Sequence, residues 1–148
     1  MTNEQYERLK RFLGLFHDWY MNVPNSPPSS HPLAVAEELE KKSLAKARSG
    51  LLMAVNDLVE MSSDWSPEQV TEADRRFIEN SAPSLSEMRR AFSKQYRRVL
   101  KRGRINTIAE YYLVKGIVDG GAIKMDASES TDVASMLASY ELQVTRDC

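Results

Sequence analysis

Three short runs of this sequence carry the chemistry of a helix start, and each is followed by apolar residues three and four apart. In Trp65-Ser66-Pro67-Glu68-Gln69-Val70, the serine hydroxyl can accept a first-turn backbone N–H and Gln69 can reach back to the cap. Pro67 takes the first helical position, where a missing N–H costs nothing, and Trp65 stands opposite Val70 as a staple. Ser84-Leu85-Ser86-Glu87 and Thr107-Ile108-Ala109-Glu110 repeat the capping spacing. Helices are therefore expected from about 66, 84 and 107. They should end near Asn80 ahead of Pro83, at Gly103 in a left-handed cap, and at Asp119-Gly120-Gly121.

The rest of the chain reads the same way. Tyr6, Leu9, Leu13, Phe16 and Tyr20 form a helical stripe, with Phe12 and Trp19 towards its edge, which predicts a first helix over 3–21. Four prolines in residues 23–32 then remove backbone donors and push their neighbours out of the helical region, so this stretch is a connector. Leu33, Ala36, Leu44, Ala47, Leu51, Val55 and Leu58 share one face with a single polar interruption, Glu40. That pattern predicts one helix of about 28 residues, roughly 42 Å long. Asp126 or Ser128 caps a last helix carrying Val133, Met136, Leu137 and Tyr140, with 143–148 as a flexible tail. Residues 111–118 have the aromatic and β-branched content of a buried strand, but the cap before them favours helix. The expected architecture is all-α. It is a single domain over 1–148, a compact bundle of five or six helices whose loosest part is the 23–32 connector.

Several classes fall away. A chain of 148 residues is long enough to build a core without metal or disulfide help. Its uncharged apolar runs are far shorter than the ~20 residues that cross a bilayer. Met1-Thr2-Asn3-Glu4-Gln5-Tyr6 lacks the basic and apolar regions of a secretory signal, and Cys148 is the one cysteine, so cytoplasm is the expected compartment.

Charge is unevenly placed. Residues 84–104 hold eight basic side chains against Glu87 alone, a local +7 within a chain of net charge −1. The compensating acids lie in 64–80 and 105–148. On a continuous helix, Leu85, Met88, Phe92, Tyr96, Val99 and Leu100 share one sector, while Arg90, Lys94, Arg97 and Lys101 form a stripe opposite with Arg98 beside it. Like charges at these steps repel by a few tenths of a kcal/mol per pair, and an anion relieves them. Either the acidic segments fold against the stripe, or solvent covers it, or it receives phosphate or an acidic protein. Arginines outnumber lysines six to two here, which favours bidentate contacts. The order helix, Gly103, helix also outlines a helix-turn-helix, but the second helix offers little besides Glu110 and Lys115 to read base edges.

The catalytic inventory is thin. His17, beside Asp18, reads as a boundary residue of the first helix, His31 lies in the connector, and Cys148 reads as inert. Zinc spacing, a phosphate-binding loop and a dinucleotide fingerprint are all missing from the sequence. Residues 126–137 lack the glycine and the final glutamate of a calcium loop. No metal or cofactor is expected. The favoured reading is a non-catalytic helical protein-binding module, such as a small cytoplasmic regulator or an immunity- or antitoxin-type neutraliser of another protein. The alternative is nucleic-acid backbone binding through the basic helix 84–104. Under either reading the contact residues are Arg90, Lys94, Arg97, Arg98, Lys101, Arg102 and Arg104, with Phe12 and Trp19 as an aromatic anchor if one edge of the first helix is exposed.

Overall fold

The computed structural model describes residues 1–21, 27–120 and 125–146. Among them the chain forms α1 (Asn3–Tyr20), a 3₁₀ turn (Pro28–Ser30), α2 (Pro32–Lys42), α3 (Leu44–Met61), α4 (Pro67–Glu79), α5 (Leu85–Phe92), α6 (Lys94–Arg102), α7 (Ile108–Asp119) and α8 (Ala127–Arg146). No strand occurs among the described residues, so the all-α class holds and 111–118 is helical. Residues 22–26, 121–124 and 147–148, with them the first part of the connector, Gly121 and Cys148, lie outside the described residues.

Among the described residues the helix count is eight rather than five or six because two expected long helices break, each at a serine. Ser43 is extended (φ −163°), donates its N–H to Leu39 O at 2.8 Å, and accepts Lys46 N–H on its hydroxyl at 3.3 Å. Ser93 does the same between α5 and α6, donating to Arg89 O at 2.8 Å and accepting from Tyr96 N at 3.2 Å. One residue thus closes a helix and caps the next, so the backbone turns while a first-turn donor of the new helix keeps an acceptor. The expected helix over 33–60 becomes α2 and α3, and the expected two-sided rod over 84–102 becomes α5 and α6.

Elsewhere the caps stand where the sequence puts them. Ser66 and Gln69 form a reciprocal box at the start of α4, Ser84 accepts from Glu87 N, and Thr107 accepts from Glu110 N. Gly103 closes α6 at φ 76°, and Asp126, not Ser128, accepts from Glu129 N ahead of α8. The tail expected from 143 is instead helical through Arg146. Pro32 belongs to α2, whose cap is His31.

Two cores result. Tyr6, Leu9, Phe12 and Phe16 of α1 meet Leu51, Val55 and Val59 of α3, Phe77 of α4 and Leu85 and Met88 of α5. Phe12 stacks on Phe77 at 4.7 Å between ring centroids, and Phe16 lies parallel to Trp65 at 5.6 Å. The second core joins Tyr96 and Val99 of α6, Ile105 of the loop that follows, Leu113, Val114 and Ile117 of α7, and Val133 and Met136 of α8. The Ser93 break is where the chain passes from the first core to the second. Glu40, the polar residue on the apolar face, accepts the Tyr6 hydroxyl at 2.6 Å and Lys10 Nζ at 2.9 Å, which ties α2 to α1.

The cores meet where α5 and α4 pack on α7. Gly120 is required there: a Cβ at this position would stand 2.6 Å from Ser86 Cβ. Ser86 in turn gives its N–H and hydroxyl to Asp74 at 2.9 and 2.5 Å, a fully buried link between α4 and α5.

Candidate functional site

The break at Ser93 divides the basic segment into an engaged part and an open part. On α5, Arg90 makes a two-pronged pair with Glu129 of α8, Nε and a terminal nitrogen lying 2.8 and 2.9 Å from the two oxygens. The Tyr96 hydroxyl donates to the same carboxylate at 2.8 Å. Arg90 above all, and then Tyr96, hold the Glu129 carboxyl below its ordinary pKa, while burial and Glu129 push the Tyr96 hydroxyl up. Arg102 bonds to Glu110 and to the carbonyl of Arg104. Two of the seven expected contact residues, Arg90 and Arg102, are therefore held by the protein's own carboxylates.

The other five are on α6 and its exit. Lys94, Arg97, Arg98 and Lys101 stand at i, i+3, i+4 and i+7, which is one face of a helix, and Arg104 follows the Gly103 cap. All five are exposed, and none forms an ion pair among the described residues. Arg97 reaches the carbonyl of Ala91, and Arg98 lies 3.5 Å from that of Lys94, a contact too long to count as a strong bond. The opposite side of α6 presents Tyr96 and Val99, both fully buried, so the second core fixes the orientation of the cationic face. Lys94 N–H donates to Glu60 at 3.2 Å, which anchors the start of α6 to the end of α3.

Of the two residues expected as an aromatic anchor, Phe12 is not available at the surface. Phe12 is 0% exposed, and Trp19 is half-buried, packed on Phe77 at 5.0 Å and capped by the Arg76 guanidinium 4.2 Å from its ring. Phe12 belongs to the core, and Trp19 packs against it from the edge.

Sequence reasoning did not single out Arg89, which is buried at 4% exposure. It donates to Ser62 O, and its Nε has no partner among the described residues. Burial lowers its pKa, against the pull of Asp74 and Asp64, and burial likewise raises that of Asp74 despite the bonds from Ser86. Both residues line a groove of about 880 Å³ between α4, the loop before it and α7, whose apolar walls include Trp65, Ile78, Ile108 and Tyr112.

His17 and His31, fourteen positions apart, meet edge to face with ring centroids 4.7 Å apart beside Asp18. The period of α1 places His17 on this side, but nothing local in the sequence shows that the connector returns His31 to it. No family model, characterised protein or solved structure matches the chain, so the functional reading rests on its own geometry.

Proposed function

We propose that this chain is a non-catalytic protein-binding module, a small cytoplasmic regulator or neutraliser, which grips an acidic protein surface with the outer face of α6. The supporting observation is the set of five exposed cations, Lys94, Arg97, Arg98, Lys101 and Arg104, which pair with no carboxylate among the described residues while Arg90 and Arg102 beside them are paired. Like charges at these spacings repel one another by a few tenths of a kcal/mol per pair, and an external anionic surface removes that cost. Three of the five are arginines, which suit forked contacts to carboxylates. A short helix anchored at both ends, by Glu60 at its start and the Gly103 cap at its finish, presents the cations without further ordering.

Reversing Arg97, Arg98 and Lys101 to glutamate tests this reading. Partner capture, compared protein by protein by mass spectrometry, should be lost with the melting temperature kept within about 2 °C, since the three are exposed. Unchanged capture removes α6 from the interface. Titration with duplex DNA over several salt concentrations tests the alternative: five phosphate contacts require a log–log slope near −4.5. That slope, in place of protein capture, would transfer the same face to nucleic acid.

A further inference from the structure

We propose that His17, Asp18 and His31 form a binding site for one divalent transition-metal ion of the zinc class, and that its occupation uncaps α2. One ligand atom from each of the three side chains lies within 4.8 Å of the other two. The carboxylate oxygen is 2.9 Å from His31 Nε2 and 3.9 Å from His17 Nδ1. Ligands on a tetrahedral zinc, with bonds of 2.0–2.2 Å, stand about 3.3 Å apart, so shifts on the order of 1 Å complete the set. Both sides of the site are element ends, the last turn of α1 and the residue entering α2, where such shifts are cheapest.

A second observation points the same way. His17 Nδ1 is buried and has no hydrogen-bond partner among the described residues, while its ring lies edge to face with the other imidazole. A buried nitrogen without a partner calls for an explanation, and a metal ion supplies one. Two imidazoles and one carboxylate suit zinc, nickel, copper or cobalt rather than magnesium or calcium. Three protein ligands leave a fourth place for water, so the ion exchanges rather than locks.

The tautomer of His31 links the site to the fold. Its Nδ1 accepts Leu33 N–H at 3.1 Å as the cap of α2, so the proton of the neutral ring sits on Nε2 and is donated to Asp18. A metal on Nε2 needs that lone pair. The proton leaves Nε2 and one is taken up at Nδ1, with no net release from His31, and an Nδ1–H cannot accept from Leu33. Coordination therefore replaces the cap, and the first turn of α2 loosens.

The test is a Co²⁺ titration of the untagged full chain and of its Cys148→Ser variant, followed by visible absorption and by amide NMR. The expected results are saturable 1:1 binding in both proteins, the intense bands of a four-coordinate ion, and a shifted Leu33 amide that exchanges at least tenfold faster. His17→Gln and His31→Gln should each weaken binding at least tenfold, and Asp18→Asn, an exposed and isosteric change, guards against a folding artefact and should weaken it as well. Absence of saturable binding at millimolar Co²⁺, full affinity in His17→Gln, or loss of binding in Cys148→Ser overturns the site. Saturable binding with an unmoved Leu33 amide overturns the uncapping.

Discussion

Replacing Glu129 by alanine removes a carboxylate that joins α5, α6 and α8. Arg90 loses bonds of 2.8 and 2.9 Å, and the Tyr96 hydroxyl loses its acceptor at 2.8 Å. Tyr96 is 0% exposed, and a buried hydroxyl left without its acceptor costs about 1–3 kcal/mol. The side chains of Arg90 and Glu129 are 30% and 18% exposed, so the pair itself is partly screened and adds about 1 kcal/mol. The expected loss is about 3 kcal/mol, a fall in melting temperature of about 6–12 °C for a chain of this length. Glu129→Gln keeps an acceptor for Tyr96 and should lose about half as much. The pH dependence has a definite sign. Folding lowers the Glu129 pKa, so its contribution is complete above the unfolded value of 4.5 and is lost as pH falls through the lower folded value. Urea unfolding of wild type and Glu129→Gln at pH 7, 5, 4 and 3 should show a gap that is constant from pH 7 to 5 and shrinks below. A loss under 1 kcal/mol for the alanine variant at pH 7, or a gap that ignores pH, would refute the reasoning.

Other substitutions probe the remaining joints. Gly120→Ala drives a methyl into Ser86, which is held by Asp74 and cannot move aside, and should cost about 1–3 kcal/mol by chemical unfolding. Asp74→Ala leaves two buried Ser86 donors without an acceptor and deprives Arg89 of its nearest compensating charge. Its expected cost is about 3 kcal/mol in the same assay. Ser93→Ala removes the cap of α6 and should cost about 1 kcal/mol, measured by thermal melting, with helix content retained by circular dichroism. Phe12→Ala should cost about 3–5 kcal/mol, whereas a surface anchor would leave stability unchanged.

What could be read in advance follows a physical line. Helix starts are local, since Ser66, Ser84 and Thr107 meet donors only three residues away, and all three cap as their spacing requires. The breaks at Ser43 and Ser93 use the same local chemistry but were masked by periodicity, because the apolar residues on either side stay in helical phase across one extended residue. Serine is tolerated on an exposed helix face, so it does not announce a break by itself. Charge asymmetry was legible as a sum. Its partition was not, since Glu129 lies 39 residues from Arg90, and only the packing of α8 selects that pair over any other. Of the two acidic segments expected to cover the stripe, 105–148 supplies Glu110 and Glu129. Acids of 64–80 act instead on buried Arg89. The histidine cluster depends on the return of the chain after the connector, and neither residue carries a neighbour that predicts the other.

The central claim is that the cations of α6 are open to a partner while Arg90 and Arg102 serve the fold. Amide hydrogen exchange on the chain, free and bound to the protein it captures, tests it most directly. Slowed exchange should centre on 94–104, with α1 and α3 unchanged. Protection confined to the groove between α4 and α7, or to α1, with 94–104 exchanging as in the free chain, would contradict the account.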